Sequence, residues 1–478
     1  MAALESVIEN TPYDEITVGQ SASATKVVTA NDLLLFAHMS GNLNPVHLPN
    51  DLTVGETVPV APSMWGGSLF SSLLGNRLPG AGTLYLSQTL AFKGRAQLGD
   101  TLTITVTVTE KKADRVVTFD CSLTKPDGEV VAEGVAEVIA PAEKRLLDSA
   151  DLPEVLLARH QHFDRLQAAC KPLPPLPTAV VCPEDDNSLG GALLATTEGL
   201  IKPIFLGSKA KIEAVAAETG ADLTGIEILD IPSHGAAAAR SVEMVHEGRV
   251  RAIMKGAVHS DELLMHITKA NGGLRTNRRI SHVFVMDVPG LKQLLLVSDA
   301  AINIAPSLET KVDIVQNSID LALALGNPTP KVGILSAVEV VNPKIPSTID
   351  AAVLSKMADR GQIKGGIVDG PLAMDNAMDI EAARTKGITS LVAGRADVLI
   401  APNLESGNML AKELTFVAHA EAAGLVMGAK VPVMLTSRAD NEEARLASCA
   451  LALLHNHYQE NGASAVQEPA EEQAEAAQ

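Results

Sequence analysis

Six basic side chains stand between Lys255 and Asp287: Lys255, Lys269, Arg275, Arg278, Arg279 and His282. Four of the six fall within eight residues, just after the pair Gly272-Gly273. The chain as a whole is strongly acidic, with 38 Lys and Arg against 57 Asp and Glu and a net charge of −19. A cationic knot in an anionic protein points to an oxyanion site such as phosphate, because guanidinium groups offer fixed donor forks that match phosphate oxygens. A second group, Ser437-Arg438, follows the apolar run VPVMLT. A loop after a parallel strand lies at the carboxyl edge of its sheet, where ligands bind. A third group, SGNLNPVH over Ser40 to His47, places Asn42 five residues before His47.

Three kinds of element must hold these residues. Over the first third of the chain, DTLTITVTVTEKK, RVVTFDCSLTK, EVVAEGVAEVIA and TLYLSQTLAF show strand patterning, with turn residues such as Pro126-Asp127-Gly128 between them. Two helices precede these runs. One is NDLLLFAHMSG, with Asn31 as N-cap and Gly41 as stop; the other is SMWGGSLFSSLLGNRL. This predicts an α+β domain, a curved antiparallel sheet around a helix. Residues 142–177 read as a helical and Pro-rich linker ending in KPLPPLP. From 178 to 458, short apolar runs (AVVCP, KPIFLG, IEILDI, RAIMKG, HVFVMDV, LLLVSD, KVGILSA, GGIVDGPL, ADVLIAPN, VPVMLTS) alternate with helical segments. That alternation predicts parallel sheets covered by helices, and the length of the region predicts two lobes with a cleft between them. Residues 459–478 read as an acidic disordered tail.

Composition excludes several classes. The negative charge argues against nucleic acid or an anionic membrane as partner. Aromatic content of 3% leaves no base-stacking platform. No apolar run reaches membrane-spanning length, and no basic region followed by an apolar core opens the chain. The four cysteines (Cys121, Cys170, Cys182, Cys449) form no CxxC pair, so neither a zinc site nor a disulfide framework is expected, and a cytoplasmic location fits. There is no GxGxxG after a strand, which argues against a dinucleotide enzyme.

The run SGNLNPVH, with SMWGGSLFSSLL and LPGAGTLYLSQTLAFKGRAQLGDTL, resembles the MaoC-like (R)-specific enoyl-CoA hydratases over 11–141. The resemblance implies a hot-dog fold and an Asp/His dyad that delivers water across a double bond. His47 matches the dyad His. Asn42 stands where the family has Asp, and an amide cannot act as general base at neutral pH. VAPSMW (Val60–Trp65) also replaces the family's His-Gly pair before Met.

From 178 to 458 the chain resembles the phosphate acetyl/butyryltransferase family. The motifs are MKGAVHSDELL, GLRTNRRISHVFVMD, SDAAINIAPSLETKVDIVQNSIDLALALG, GGIVDGPLAMDNA, LVAGRADVLIAPNLESGNMLAKEL and GAKVPVMLTSRAD. The implied fold is a two-lobed α/β domain like isocitrate and isopropylmalate dehydrogenases, with the site in the cleft. The implied reaction is acyl-CoA plus phosphate giving acyl phosphate plus CoA, by direct transfer, with no cofactor beyond the coenzyme A thioester substrate and no metal. On this resemblance Arg438 binds phosphate and Ser437 donates to the carbonyl oxygen, while Lys255, Arg275 and Arg279 hold phosphate and Arg278 is structural. The acetyl-specific branch carries an Asp seven residues after the Ser; here that position is Ala444, which leaves the general base open among Asp440, Glu442 and Glu443. Both families imply a homo-oligomer, a dimer or higher. The expectation is thus a multidomain enzyme, with a non-catalytic CoA-binding assembly protein as the alternative.

Overall fold

The computed structural model describes residues 7–49, 58–148, 161–435 and 441–466. The chain divides into two compact units, Met1–Leu157 and Ala158–Gln478.

The first unit contains β1 (Val7–Glu9), β2 (Ser21–Val27), α1 (Ala30–Ser40), α2 (Ser63–Asn76), β3 (Leu84–Gln88), β4 (Ala91–Phe92), β5 (Thr101–Lys111), β6 (Val116–Thr124), β7 (Val130–Ile139) and β8 (Leu146–Asp148). Strands β2, β5, β6, β7 and β3 pair antiparallel in that order, with β4 on β7, and β1 pairs separately with β8. The alternation of β5 shows why. Leu102, Ile104, Val106 and Val108 are buried, while the threonines between them face the other side. The buried face receives α2, which packs on β2, β5 and β7 through Phe70, Leu73 and Leu74. Each such fully buried side chain contributes about 1.5–3 kcal/mol. Gly67 allows the close approach: a Cβ there would stand 2.7 Å from Leu90 Cδ1. A sheet wrapped on a central helix is the hot-dog architecture. Helix α1 starts two residues earlier than expected, because Thr29 and Asp32 form a reciprocal capping box and Asn31 lies inside the helix.

The second unit carries one sheet of eleven strands. They are β9 (Leu176–Val181), β10 (Ile201–Gly207), β11 (Glu227–Asp230), β12 (Ala252–Lys255), β13 (Ser281–Asp287), β14 (Leu295–Ser298), β15 (Lys331–Leu335), β16 (Ile367–Leu372), β17 (Val398–Ile400), β18 (Glu421–Met427) and β19 (Val433–Met434). The order is β11-β10-β9-β12-β19-β18-β13-β14-β17-β15-β16. Parallel sheets in two lobes were the expectation; one sheet runs through the whole unit. Strand β18 lies antiparallel to both β19 and β13, and β13 antiparallel to β14, so the two parallel blocks are joined through antiparallel strands. The joint between β18 and β19 is a single pair, Val426 with Val433. The last helix, Glu442–Asn461, is buried on all sides from Arg445 to His455, as a helix running through a core must be.

Two sequence boundaries move. The linker expected over 142–177 is divided between the units. Leu146–Asp148 is strand β8, and the helix Gln161–Cys170 buries Phe163, Leu166 and Cys170 in the core of the second unit. That helix is pinned by Asp287, whose carboxylate accepts from the amides of His162 (2.8 Å) and Phe163 (3.1 Å). An anion at a helix N-terminus is favoured by the unpaired amides there. Leu176, inside the Pro-rich run, already belongs to β9, where Pro177 is tolerated near the strand start. Residues 459–466, expected to open the tail, are ordered, and 467–478 lie outside the described residues. The last helix reaches Asn461, and Val466 is buried against Gly326.

Candidate active site

The second unit carries a cavity of about 670 Å³ that opens to solvent, within the range of small-molecule sites. Four elements supply most of its walls. Strand β13 gives His282, Phe284 and Met286, successive residues on one face, while Val283 and Val285 point into the core on the other. Neighbouring β18 gives Glu421 and Ala422. The helix Leu404–Phe416 gives Asn408, Ala411, Lys412 and Thr415, the spacing of one helical face. Ser260 and Leu264 line it from the helix Ser260–Ile267, which follows β12.

Leu435 and Asn441 also line this cavity. Ser437 and Arg438, with Asp440, lie in 436–440, outside the described residues, but both flanks of that segment open on the cavity. Ala444 stands on the wall as well, so the position where the acetyl branch carries Asp presents only a methyl group. Neither nearby glutamate takes its place. Glu442 packs against Gly190, where a Cβ would come within 2.0 Å of its Oε1. Glu443 accepts from Asn441 Nδ2 at 3.4 Å and is exposed.

The sheet register decides which predicted cations can meet here. Ile253, Val433, Val426 and His282 lie in one row across β12, β19, β18 and β13. Strands β12 and β13 run the same way. Lys255 is two residues beyond the row at the carboxyl end, one position along β12 from Met254, the partner of Met434. Its ammonium is buried and reaches the Gly256 carbonyl at 3.3 Å, and its own carbonyl accepts from Arg445 Nη1 at 3.3 Å. Arg279 is three residues before the row, at the amino end of β13. The two are separated by on the order of 15 Å along the strand direction alone. Lys255, Arg275 and Arg279 were expected to hold one phosphate together; the structure does not bring them together. The exposed Arg275 donates Nε to the Thr268 carbonyl and pairs by backbone with Ala429. Arg279 is exposed, and its backbone is held by Asp313 and Asn317. Arg278 is ion-paired with Asp320. The three arginines of the knot therefore lie at the amino end of β13, the far end of the strand direction from Lys255.

Two wall residues were not assigned to this cavity from the sequence. His282 was counted with the arginines of the cationic knot, and the register instead puts its ring on the cavity face. It is 1% exposed, its Nδ1 has no hydrogen-bond partner, and it meets the Phe284 ring edge-on at 4.4 Å. Burial holds this imidazole well below its ordinary pKa, with the nearby Asp299 carboxylate pulling the other way. Lys412 is the other, an exposed lysine within an ordinary helical segment.

Cys182, Glu184 and His234 form the one grouping of metal-ligating types among the described residues. Its donors are already engaged. Glu184 Oε2 meets both His234 Nε2 and Lys211 Nζ at 3.0 Å, and Oε1 accepts from the Ser208 amide at 2.9 Å. Burial pushes the Cys182 thiol up to about 12, so it is no thiolate ligand or nucleophile at neutral pH.

In the first unit, His47 ends the short turn Pro45–His47, and its Nδ1 lies 2.7 Å from the Val60 carbonyl. A carbonyl accepts only, so Nδ1 carries the proton and Nε2 is the lone-pair nitrogen. Asn42 spends its Oδ1 on the Asn44 amide at 3.2 Å, a local turn. The void beside Ala61, Pro62, Ser63 and Trp65 is about 10 Å³, room for one water. No helix among the described residues is long and apolar enough to cross a membrane.

Residues 233–453 match the phosphate acetyl/butaryl transferase family. The phosphate acetyltransferase of Rhizobium meliloti is 58% identical over 298 residues, covering 62% of this chain and 94% of that protein. Among solved structures, a branched-chain phosphotransacylase from Enterococcus faecalis V583 aligns with a TM-score of 0.51 and 30% identity, over 59% of this chain and 99% of its own. An unliganded R-hydratase from Pseudomonas aeruginosa is 38% identical over 32% of this chain and all of its own, with a TM-score of 0.31. With a hot-dog domain ahead of its phosphotransacylase fold, the chain belongs to the phosphate acetyl/butyryltransferase family.

Proposed function

We propose that the second unit transfers a short acyl group, such as acetyl or butyryl, between coenzyme A and phosphate. The observation that carries this is the cavity of about 670 Å³ onto which both flanks of the Ser437-Arg438 segment open. Transfer between thioester and phosphate needs the two reactants placed together and the developing oxyanion stabilised, and little else. In this reading Arg438 and Lys255 hold the phosphate near the carboxyl edge of β12 and β19, and Ser437 donates to the thioester carbonyl. Lys412, on the cavity wall, meets the phosphates of coenzyme A. Arg275 and Arg279 have no part in the site. The turn of the sheet at β18 and β13 supports a likeness to the two-lobed isocitrate and isopropylmalate dehydrogenases, with the cavity in the cleft.

The hot-dog domain is read as a binder of CoA thioesters and an assembly module of a dimeric or larger cytoplasmic enzyme. Asn42 lacks the basicity hydration requires, which supports the binding role. The transferase reading is tested by trapping the product: acetyl- or butyryl-CoA with phosphate and hydroxylamine yields the hydroxamate of the acyl phosphate. No hydroxamate above the phosphate-free control refutes it and favours a CoA-binding assembly protein.

A further inference from the structure

His282 combines three features rarely found in a core histidine. It is 1% exposed, so solvent does not pair it. Its Nδ1 has no partner, which costs a buried polar group about 1–3 kcal/mol. And it stands on the wall of a cavity large enough for a ligand, on the same strand face as Phe284 and Met286. The site is built around the ring. Gly424 on β18 leaves the space it fills, since a Cβ there would lie 2.7 Å from Cε1 and Nε2. Phe284 fixes its plane edge-on at 4.4 Å and 68°. The nearby acid is already spent: Asp299 accepts from the amides of Ala301, Ile302 and Asn303 and from Asn303 Nδ2. The Ser298 hydroxyl donates to the His282 backbone carbonyl, at 2.8 Å, and not to the ring. Nδ1 is fully buried, so the N–H that a neutral imidazole can offer a bound molecule is that of Nε2, the nitrogen beside Gly424.

We propose that His282 donates a hydrogen bond to the carbonyl oxygen of the acyl group bound in this cavity and polarises it for attack. This rests on the transferase reading above. A phosphate oxygen adds to the thioester carbon, and the carbonyl oxygen gains the negative charge that the imidazole N–H stabilises. Collapse of that intermediate breaks the carbon–sulfur bond, and the proton that hydrogenphosphate carries ends on the CoA sulfur. His282 keeps its own proton throughout. Its burial serves this role, because an imidazole that stays neutral is a donor of constant charge, as in sites where a neutral histidine polarises a carbonyl.

The test compares wild type, His282→Phe and His282→Gln in the full chain. Phenylalanine fills the space without a donor; glutamine restores an N–H. His282→Phe should lower kcat about 100-fold, the effect of one lost oxyanion donor, with KM for phosphate within about twofold. Its melting temperature should equal or exceed wild type, because an unpaired buried polar group is gone. His282→Gln should recover about tenfold of the loss. The carbonyl stretch of bound butyryl-CoA should fall in frequency on the wild type and return toward its solution value on His282→Phe. A His282→Phe enzyme with wild-type kcat, or a carbonyl stretch unmoved by the substitution, overturns the proposal. A wild type that forms no acyl phosphate overturns the transferase reading instead, while the carbonyl stretch still reports on His282.

Discussion

The contact between Gly424 and His282 allows a prediction worked from geometry. Gly424 lies opposite Phe284 in the β13–β18 ladder, and a Cβ added to it would stand 2.7 Å from both Cε1 and Nε2 of His282. Ordinary carbon contacts are about 3.5–4.0 Å, so in Gly424→Ala the ring must retreat by about 1 Å. The cavity on its other side lets it yield, which places the overpacking cost toward the low end of about 1–3 kcal/mol. Reduced freedom of the unfolded chain returns about 0.4–1 kcal/mol. The net expectation is a loss of about 0.5 kcal/mol, a fall of about 1 °C in Tm for a unit of this size. Turnover should suffer more, since a 1 Å misplacement of a group at the reacting centre costs about 100-fold. Thermal melts and kcat of Gly424→Ala, His282→Ala and the double variant form a cycle. The alanine at 424 should be harmless to stability once the imidazole is absent, giving a coupling of about 1 kcal/mol. Wild-type Tm and kcat in Gly424→Ala, or simple additivity in the cycle, would refute the reasoning.

Three further outcomes are expected. Arg438→Ala should raise KM for phosphate and cut kcat, together by about 100-fold or more in kcat/KM, whereas Arg279→Ala should leave both near wild type; equal losses would mean the register argument is wrong. Asn42→Asp should introduce crotonyl-CoA hydration, read by loss of enoyl absorbance, because His47 already presents its Nε2 lone pair; no gain would assign the block to the Val60–Trp65 segment. His455 is buried and pushed down to about 4, so below about 6.5 the unfolded chain takes up a proton that the folded chain refuses. Its stability contribution is intact above pH ~6.5 and is lost as pH falls toward ~4. In His455→Leu the loss of stability over that interval, followed by urea unfolding, should shrink by roughly 3 kcal/mol, and an unchanged pH dependence would contradict the burial argument.

Periodicity carried much of the fold. The threonine–aliphatic alternation of 101–111 announced a half-buried strand, and each apolar run quoted between 178 and 435 became a strand of the second sheet. What stayed hidden has physical causes. Ser21–Val27 alternates small and polar residues at a sheet edge, where little burial is required, and Glu421–Met427 (EAAGLVM) carries alanines and a glycine that look helical or loop-like until neighbours pack on them. The linker was misread because proline suggests a spacer, although Leu173, Leu176 and the helix before them are drawn into the core. The cationic knot misled for a topological reason. Arg275 and Arg279 are close to His282 in sequence, but a strand carries them away from the cavity at about 3.3 Å per residue. His282 was grouped with those arginines, because only register and the absent Cβ of Gly424 separate its ring from them and give it a face on the cavity.

The central claim is acyl transfer to phosphate. Its most direct test is release of free CoA thiol from acetyl-, butyryl- and crotonyl-CoA by the full-length protein, with and without phosphate. The account predicts release that requires phosphate and is lost in Arg438→Ala. Release independent of phosphate, or none from any of the three thioesters, would contradict it.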